Sequence, residues 1–315
     1  MAFELVSIAL CTYNGAAYIS EQLDTLVNQS YPNCEIVVVD DCSKDNTIKI
    51  LREYAEKYPQ ISVHSNTENL GYTRNFEKAI RLCKGEYIAL CDQDDIWDKN
   101  KISTMVELIG DNILAYHDSE FVDELGDPIN KKLSDLKNCY SGSDSRIFLF
   151  ENCVLGHATI FKKELLNFME HFNDTVIHDR WLAYVGTNNG SILFIDQPLV
   201  KYRQHVNANT NILQQERTNK SKSNSVYKMQ FQLDIATVLA DYPYNKDVAF
   251  KKKLTKLMQD RMQSYTSFGL AYFIFTHRKV LLYISKKSAF SKFNMILKFI
   301  WGHKIKQLSL FNVER

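Results

Sequence analysis

The sequence has no long apolar run and no leader-like start. A helix that spans a bilayer needs about 18 consecutive apolar residues, and no stretch of this chain approaches that length. The N-terminus carries no basic segment ahead of an apolar one, and a strand-like segment begins at Leu5. We therefore expect a cytoplasmic protein that has neither a secretory signal nor a membrane span.

Paired cysteines and several common catalytic motifs are also missing. The chain has seven cysteines, and no two of them are spaced as CxxC. Several lie inside apolar runs, which favours reduced thiols packed as small hydrophobic groups. GxxxxGK[ST], HExxH and GxSxG are absent, and no GxGxxG follows the first strand. These absences disfavour P-loop, zinc-dependent, serine-hydrolase and dinucleotide-dependent enzymes.

The chain as a whole has no excess of charge of either sign. It has 38 Lys and Arg against 37 Asp and Glu, a net charge of +1, so we expect no nucleic-acid partner. The balance conceals an asymmetry. Between Lys246 and Lys306 lie 14 Lys and Arg but only two Asp, a net of +12, which leaves −11 for residues 1–245. An acidic body therefore ends in a strongly basic region.

What the chain does have is the composition and pattern of an α/β protein. Hydrophobic residues make up 45% and charged residues 24%, which excludes disorder and leaves ample material for a core. Apolar runs alternate with helical patterns, and the first four predicted strands are Leu5–Cys11, Glu35–Asp40, Ile61–Ser65 and Tyr87–Cys91. This alternation predicts a parallel, doubly wound sheet, whose ligands bind beyond the carboxyl ends of the strands.

The middle of the chain is less regular. A loop or excursion is predicted at 123–146, because Asp, Lys, Asn, Ser and Gly dominate it. A helix is predicted over 162–172 and another from His178. The remaining strands are predicted at 113–117, 191–196 and 199–202.

Two acidic clusters stand at the ends of predicted strands. Asp40 and Asp41 end the second strand, and Asp92, Asp94 and Asp95 follow the fourth. Crowded carboxylates repel one another unless a cation or a ligand joins them. Asp-x-Asp spacing suits a hard divalent ion such as Mg²⁺ or Mn²⁺. Acidic helix caps would explain one such pair, but they explain two pairs on one sheet edge less well.

These segments resemble the family 2 glycosyltransferases of the GT-A fold, which transfer a sugar from a nucleotide. The resemblance covers about residues 3–205. It is carried by Val6–Asn14, Glu35–Ser43 with Asp45 and Thr47, Asn69–Gly71 with Arg74 and Asn75, and Cys91–Trp97. Cys42 departs from the family, which usually has Gly after the paired aspartates. The resemblance implies a Rossmann-like nucleotide-sugar-binding domain with a mostly parallel sheet, followed here by a C-terminal helical region.

Later motifs resemble one bacterial branch of that family. His178–Leu182, Tyr202–Asn207 and the Asp-Gln-Asp-Asp-Ile-Trp string are typical of a branch with many rhamnosyltransferases of surface polysaccharide synthesis. The branch implies dTDP-L-rhamnose as the donor and a lipid-linked or growing glycan as the acceptor. Donors differ within it, so a UDP-hexose or UDP-N-acetylhexosamine donor remains an alternative. A non-catalytic nucleotide-sugar-binding protein is a second alternative.

The resemblance also assigns the donor site. Thr12 and Tyr13 would line the nucleoside pocket, where Tyr13 stacks on the base. Asp41 would accept the N3–H of uracil or thymine. Arg74 would contact the base or the diphosphate, although surface charge is its alternative role. Asp92 would hold the ribose or the waters of the metal.

The metal, the base and the acceptor side follow from the same resemblance. Asp94 would be the direct ligand of Mn²⁺ or Mg²⁺, with Asp92, and His205 would be a further metal or phosphate contact. Asp179 sits where the family places the general base of an inverting transfer. His178 and Trp181 would flank that base at the acceptor site.

The basic C-terminal region indicates contact with a membrane surface. We divide the chain into a catalytic domain at 1–206, a polar linker or mobile loop at 207–225 and a basic amphipathic helical region at 226–315. Helices with an aromatic face and a cationic face lie in the interface of anionic membranes. We therefore expect peripheral contact with the inner face of the cytoplasmic membrane. Packing on the catalytic domain and an RNA-binding arm are the alternatives.

Overall fold

The computed structural model describes residues 3–205 and 225–305. The backbone divides into two compact units. Of the described residues, 3–143 and 153–205 form the first unit, and 144–152 and 225–305 form the second. The predicted linker at 207–225 lies outside the described residues, except that Ser225 begins a helix. The predicted domain boundaries remain a prediction.

Within residues 3–205, nine strands form one sheet. The strands are β1 (Val6–Thr12), β2 (Cys34–Asp40), β3 (Ile61–Ser65), β4 (Tyr87–Cys91), β5 (Ile96–Trp97), β6 (Leu114–Val122), β7 (Pro128–Lys132), β8 (Thr159–Lys162) and β9 (Ile192–Arg203). Their order is β3-β2-β1-β4-β8-β6-β9-β5, and β7 pairs with β6. Strands β3, β2, β1 and β4 are parallel, as are β6 and β9, while β5, β7 and β8 run antiparallel to their neighbours.

The helices of the first unit follow the strands closely. They are α1 (Ile19–Val27), α2 (Thr47–Lys57), α3 (Tyr72–Leu82), α4 (Lys101–Ile109), α5 (Leu133–Leu136) and α6 (His178–Asn189). Strand β1 is buried along its whole length, because helices cover both faces of a doubly wound sheet. One core joins β1, β2 and β4 with the apolar faces of α1 and α4. The predicted α/β class is therefore confirmed.

Three predicted elements differ from the structure. The excursion at 123–146 contains β7 and α5. The helix predicted over 162–172 is a 3-10 segment, Lys163–Phe168. The two strands predicted at 191–196 and 199–202 are one strand, β9, because Pro198 stands opposite a bulged position of β6 where no backbone N–H is needed.

The second unit is helical. Its helices are α7 (Ser225–Ala240), α8 (Val248–Met262), α9 (Phe268–Thr276), α10 (Arg278–Leu281) and α11 (Ala289–Leu297). A 3-10 segment from the middle of the chain, Ser145–Leu149, belongs to the same unit. Lys251 of α8 is buried and donates hydrogen bonds of 2.7 Å to Oγ of Ser145 and Oδ1 of Asn245. The helical C-terminal region is thus as predicted. Among the described residues, we find no helix with the length and apolarity that crossing a bilayer requires.

Candidate active site

The carboxyl ends of β1, β2 and β4 bring their polar residues to one edge of the sheet. These strands are parallel, and the register pairs Thr12 with Asp40. Thr12 is buried, and its Oγ1 donates a hydrogen bond of 2.9 Å to Oδ1 of Asp40. Asp40 also accepts from the backbone N–H and the Oγ of Ser43. Thr12 therefore ties two strands together beside the predicted nucleoside pocket.

Asp41 is buried and holds the segment that leads into α3. Its Oδ1 accepts hydrogen bonds from Nδ2 of Asn66 at 2.7 Å and from the backbone N–H of Leu70 at 2.8 Å. Its Oδ2 accepts from the backbone N–H of Gly71 at 2.9 Å. Gly71 has a φ of +78°, a conformation that favours glycine. Asp41 thus has a structural role here, and its predicted contact with a pyrimidine base remains a prediction.

Tyr13 follows β1 with its ring about half exposed. Gln93 fixes its backbone, because Oε1 accepts from the Tyr13 N–H at 2.8 Å and Nε2 donates to the Tyr13 carbonyl at 3.1 Å. A Cβ at Gly15 would lie 2.2 Å from that Oε1, so a larger residue at this position would displace the Gln93 side chain. The arrangement leaves the tyrosine ring accessible, and its stacking on a nucleotide base remains a prediction.

Arg74 lies in the first turn of α3 and is paired with two carboxylates. Its guanidinium donates hydrogen bonds of 2.8 Å to Oε2 of Glu77 and to Oδ2 of Asp174. Its side chain is 40% exposed. A contact with a nucleotide would require Arg74 to exchange at least one of these partners, and that contact remains a prediction.

The acidic cluster after β4 places its three carboxylates at different depths. The side chains of Asp92 and Asp94 are partly exposed, whereas that of Asp95 is fully buried. Oδ1 of Asp95 accepts a hydrogen bond of 3.2 Å from the backbone N–H of Arg203. Burial raises the pKa of Asp95 well above its usual value, and the charges of Asp94 and Asp92 raise it further.

The end of β9 meets this cluster. Nε2 of His205 lies 2.9 Å from Oδ2 of Asp94, so the structure brings together these two predicted ligands. The buried Arg203 donates hydrogen bonds to the backbone carbonyl of Asp94 at 2.9 Å and to Oε2 of Glu21 at 2.6 Å. Arg203 therefore fixes the backbone on which Asp94 is carried.

A second histidine, His157, lies under the cluster and was missed by the sequence analysis. Its Nδ1 is 3.7 Å from Oδ2 of Asp92 and 3.5 Å from Oδ2 of Asp95, and its Nε2 is 2.9 Å from Oγ of Ser119. The only local signal is a histidine after a glycine in a largely apolar run, and such a histidine is more often structural. Only the return of β8 beside β4 brings it to the acidic residues.

The donor set at this edge fits a hard divalent cation. One ligand atom each from Asp92, Asp95 and His157 lies within 4.8 Å of the others. Oδ2 of Asp95 is buried and has no hydrogen-bond partner among the described residues. The carboxylate oxygens of this set suit Mn²⁺ or Mg²⁺. The structure thus groups Asp94 with His205, and Asp92 with Asp95 and His157.

Asp179 lies in the first turn of α6 and is buried. Burial raises its pKa to about 7, and the charge of Asp92 contributes in the same direction. A hydrogen bond from the backbone N–H of Arg180 opposes this shift. A carboxyl group with a pKa near 7 can hold and release a proton at neutral pH, which suits a general base.

The predicted acceptor-side residues His178 and Trp181 are mostly enclosed by aromatic rings. His178 is fully buried, stacked on Phe76 at 4.5 Å between ring centroids and edge-on to Tyr72 at 4.8 Å. Burial lowers its pKa to about 3, so its ring is neutral at pH 7. Trp181 is 7% exposed and stacks with Tyr184 at 6.3 Å. Their contact with an acceptor remains a prediction.

The chain is similar to known glycosyltransferases. The model of the family described as Glycosyl transferase family 2 matches residues 7–169. The dTDP-rhamnosyl transferase RfbG of Shigella flexneri is 30% identical over 220 residues, which cover 63% of this chain and 72% of the relative. The UDP-Glc:alpha-D-GlcNAc-diphosphoundecaprenol beta-1,3-glucosyltransferase WfgD of Escherichia coli is 28% identical over 206 residues, covering 63% and 77%.

A solved structure shares the fold. The crystal structure of S. aureus TarS 1-349 in complex with UDP-GlcNAc superposes with a TM-score of 0.58 at 19% identity. The match covers 89% of this chain and 79% of the TarS chain.

Proposed function

Since the chain belongs to glycosyl transferase family 2 and is a glycosyltransferase of the GT-A fold, we propose that it transfers a sugar with inversion, with the help of a divalent metal. The acceptor in this proposal is a hydroxyl of a lipid-linked or growing bacterial surface glycan, such as an O-antigen, a capsule or a cell-wall polysaccharide.

One observation carries the proposal. A buried carboxyl group with a pKa of about 7, Asp179, lies near enough to the acidic cluster for the charge of Asp92 to raise that pKa. A base and a cation-binding cluster at one place are what an inverting displacement needs. Because a protein that only binds nucleotide sugars needs no such base, the non-catalytic alternative is weaker.

The chain's own residues would share the work as follows. Asp179 accepts the proton of the acceptor hydroxyl while the oxygen attacks the anomeric carbon from the side opposite the phosphate. Asp94 and His205, with Asp92, would hold Mn²⁺ or Mg²⁺. The bound ion supplies positive charge that stabilises the departing nucleoside diphosphate. Tyr13 would stack on the base.

We favour dTDP-L-rhamnose as the donor. The support is the branch motifs in the sequence and the name of the relative RfbG, a dTDP-rhamnosyl transferase. A UDP-hexose or UDP-N-acetylhexosamine is the alternative, and the name of the relative WfgD, which includes UDP-Glc, favours it. Asp41 and Tyr13 would serve both donors, because thymine and uracil present the same N3–H.

Release of nucleoside diphosphate tests the proposal. The protein is incubated with Mn²⁺ or Mg²⁺ and dTDP-L-rhamnose, UDP-glucose, UDP-galactose or UDP-GlcNAc, and the slow hydrolysis that occurs without an acceptor is followed. Selective turnover of dTDP-L-rhamnose is the expected result. Selective turnover of a UDP-sugar would replace the donor, and turnover that is unchanged by a chelator would contradict the metal.

The proposal includes peripheral contact of the helical unit with an anionic membrane. Residues 264–305 contain no Asp or Glu, and the Lys and Arg among them are Arg278, Lys279, Lys286, Lys287, Lys292, Lys298 and Lys304. Helix α9 exposes Phe268, Tyr272 and Phe275 at the spacing of one helix face. Helix α11 exposes Phe290, Phe293 and Leu297 in the same way.

Exposed aromatic rings among cations suit the lipid interface, because the rings enter the head-group region while the cations pair with anionic lipids. An RNA-binding arm uses the same charges but gains less from aliphatic Leu297. Flotation with vesicles that contain phosphatidylglycerol, compared with an RNA gel shift, separates the two. We expect flotation that weakens at high salt and no RNA shift. An RNA shift without flotation would contradict membrane contact.

A further inference from the structure

The buried histidine His157 connects the interior of the first unit to the acidic cluster. It lies on a short 3-10 turn, Gly156–Ala158, immediately before β8. Its side chain is 2% exposed, and its ring packs on Tyr202 with 4.3 Å between centroids. Its backbone carbonyl accepts a hydrogen bond from Nζ of the fully buried Lys101. The imidazole ring is therefore held by its packing on Tyr202, and the backbone of His157 is held by Lys101.

The partners of its two ring nitrogens point to one tautomer. A neutral imidazole has one N–H and one acceptor nitrogen. Nδ1 faces carboxylate oxygens of Asp92 and Asp95, whereas Nε2 faces a hydroxyl that can donate, so we assign the proton to Nδ1. Nε2 is then the acceptor for the hydroxyl of Ser119 on β6.

The two carboxylates that face Nδ1 are not equivalent. Asp95 is fully buried, and its Oδ1 is fixed by the backbone N–H of Arg203. The side chain of Asp92 is 23% exposed, so it links the buried histidine to the outside of the sheet edge. At 3.7 Å the Asp92 contact is longer than a hydrogen bond, so the Asp92 carboxylate has to turn toward Nδ1 for the bond to form.

We propose that His157 is a positioning residue for donor binding, whose Nδ1–H donates to Asp92 and holds that carboxylate in its donor-facing orientation. Ser119 assists by keeping the proton on Nδ1. The inference rests on the proposed function, because it takes a nucleotide sugar as the ligand that Asp92 meets.

Two amide substitutions separate the ring nitrogens. In His157→Asn the amide N–H₂ falls near the place of Nδ1, whereas in His157→Gln it falls near the place of Nε2. Binding of dTDP and UDP is measured by calorimetry, with and without Mn²⁺, alongside the KM for the nucleotide sugar and the melting temperature. We expect His157→Asn to bind within about threefold of the wild type and His157→Gln to bind about tenfold more weakly, the effect of one hydrogen bond to a charged group.

Ser119→Ala provides the second readout. Without the Ser119 hydroxyl, the tautomer with a proton on Nδ1 can still form but is no longer selected. We therefore expect a smaller loss of affinity than in His157→Gln. The KM should rise in both variants more than kcat falls, because neither residue meets the reacting atoms.

The outcomes distinguish this inference from the proposed function. Equal losses in His157→Asn and His157→Gln, or no loss in either, would overturn the positioning role while the wild type still binds a nucleoside diphosphate. A wild type that binds neither dTDP nor UDP, with or without Mn²⁺, would overturn the proposed donors and this inference with them.

Discussion

The two units differ in where they keep their charged and aromatic side chains. The first unit buries charged and titratable groups at one edge of its sheet, among them Asp41, Asp95, His157 and Asp179. The second unit buries Lys251 and Arg261 but exposes most of its other cations and many of its aromatic rings, such as Tyr272 and Phe290, which are 71% and 74% exposed. Burial changes the protonation of a group and directs its hydrogen bonds, whereas exposure leaves it ready to meet another surface.

The difference separates the residues of the proposed transfer reaction from the residues of the proposed membrane contact. Substitutions in the buried edge of the first unit should change turnover and leave vesicle binding intact. Substitutions on the exposed rings of the second unit should do the reverse.

The largest effect is expected for Asp179→Asn. Removal of the base should lower kcat by about 10³-fold or more while binding of the nucleoside diphosphate stays within a few-fold, because the amide cannot take the acceptor proton. Turnover by the purified variant and calorimetry measure the two effects. Full activity in Asp179→Asn would exclude the residue as the base.

The same variant should be more stable than the wild type at pH 8. The folded pKa of Asp179 is about 7 and the unfolded value is near 4, so the folded state loses stability as the pH rises from about 4 to about 7. Asparagine carries no charge, so the variant avoids this loss and should be more stable than the wild type at pH 8 by about 4 kcal/mol, at about 1.4 kcal/mol for each unit of pKa difference. Urea unfolding at pH 8 measures it, and the difference should disappear near pH 4.

Asp94→Ala should lower turnover by about 10²-fold, because it removes a predicted metal ligand and its contact with His205. Titration with Mn²⁺ should show weaker activation, and a chelator should stop the wild type. Glu124, an exposed acid whose side chain bonds to Tyr18, provides a control in Glu124→Ala. Equal metal activation in Asp94→Ala and the wild type would contradict the assignment.

The rate should depend on pH through Asp179. Since its pKa is about 7, kcat/KM should fall about tenfold for each unit below pH 7 as the base becomes protonated, and it should level off above pH 7. Initial rates between pH 5 and 9 provide the profile, with the melting temperature followed over the same range. A flat profile between pH 5 and 7 would argue against this group as the base.

The contact surface of the second unit should respond to one aromatic ring. Tyr272→Ser should weaken binding to anionic vesicles by about tenfold, because burying a large aromatic side chain contributes about 1.5 to 3 kcal/mol. Tyr227→Ser is the matched control, since Tyr227 is 69% exposed on α7, outside residues 264–305, which contain no Asp or Glu. Equal losses of vesicle binding in the two variants would contradict a specific membrane contact by the exposed face of α9. The release of nucleoside diphosphate should not change in either variant.

The smallest effect is expected at Cys42. This residue has a φ of +65°, in the left-handed region that favours glycine. Cys42→Gly should stabilise the protein by about 0.5 to 1 kcal/mol, since relief of the backbone strain exceeds the entropy that glycine adds to the unfolded chain. Urea unfolding measures the change. A loss of stability would mean that the contact between the thiol and Nζ of Lys44 matters more than the strain.

Much of the first unit was predictable because its buried strands are continuous β-branched or apolar runs. Strands β2, β3 and β4 lie where the runs predicted them, and the acidic residues at their ends lie at one edge, as parallel strands require. The long β9 was not predictable, because Pro198 reads as a break in a strand. Nor was the membership of residues 144–152 in the second unit, since it depends on contacts far apart in the chain.

The sequence by itself determined the family, the α/β class and the presence of Asp92, Asp94 and Asp179, because these follow from local patterns and motif spacing. The tertiary structure decided which of those groups meet. The antiparallel return of β8 placed His157 beside Asp92 and Asp95, and β9 carried His205 to Asp94. Such pairings join residues that are 62 to 111 positions apart in the chain. The burial of these residues, which shifts their pKa values, exists only once the chain has folded.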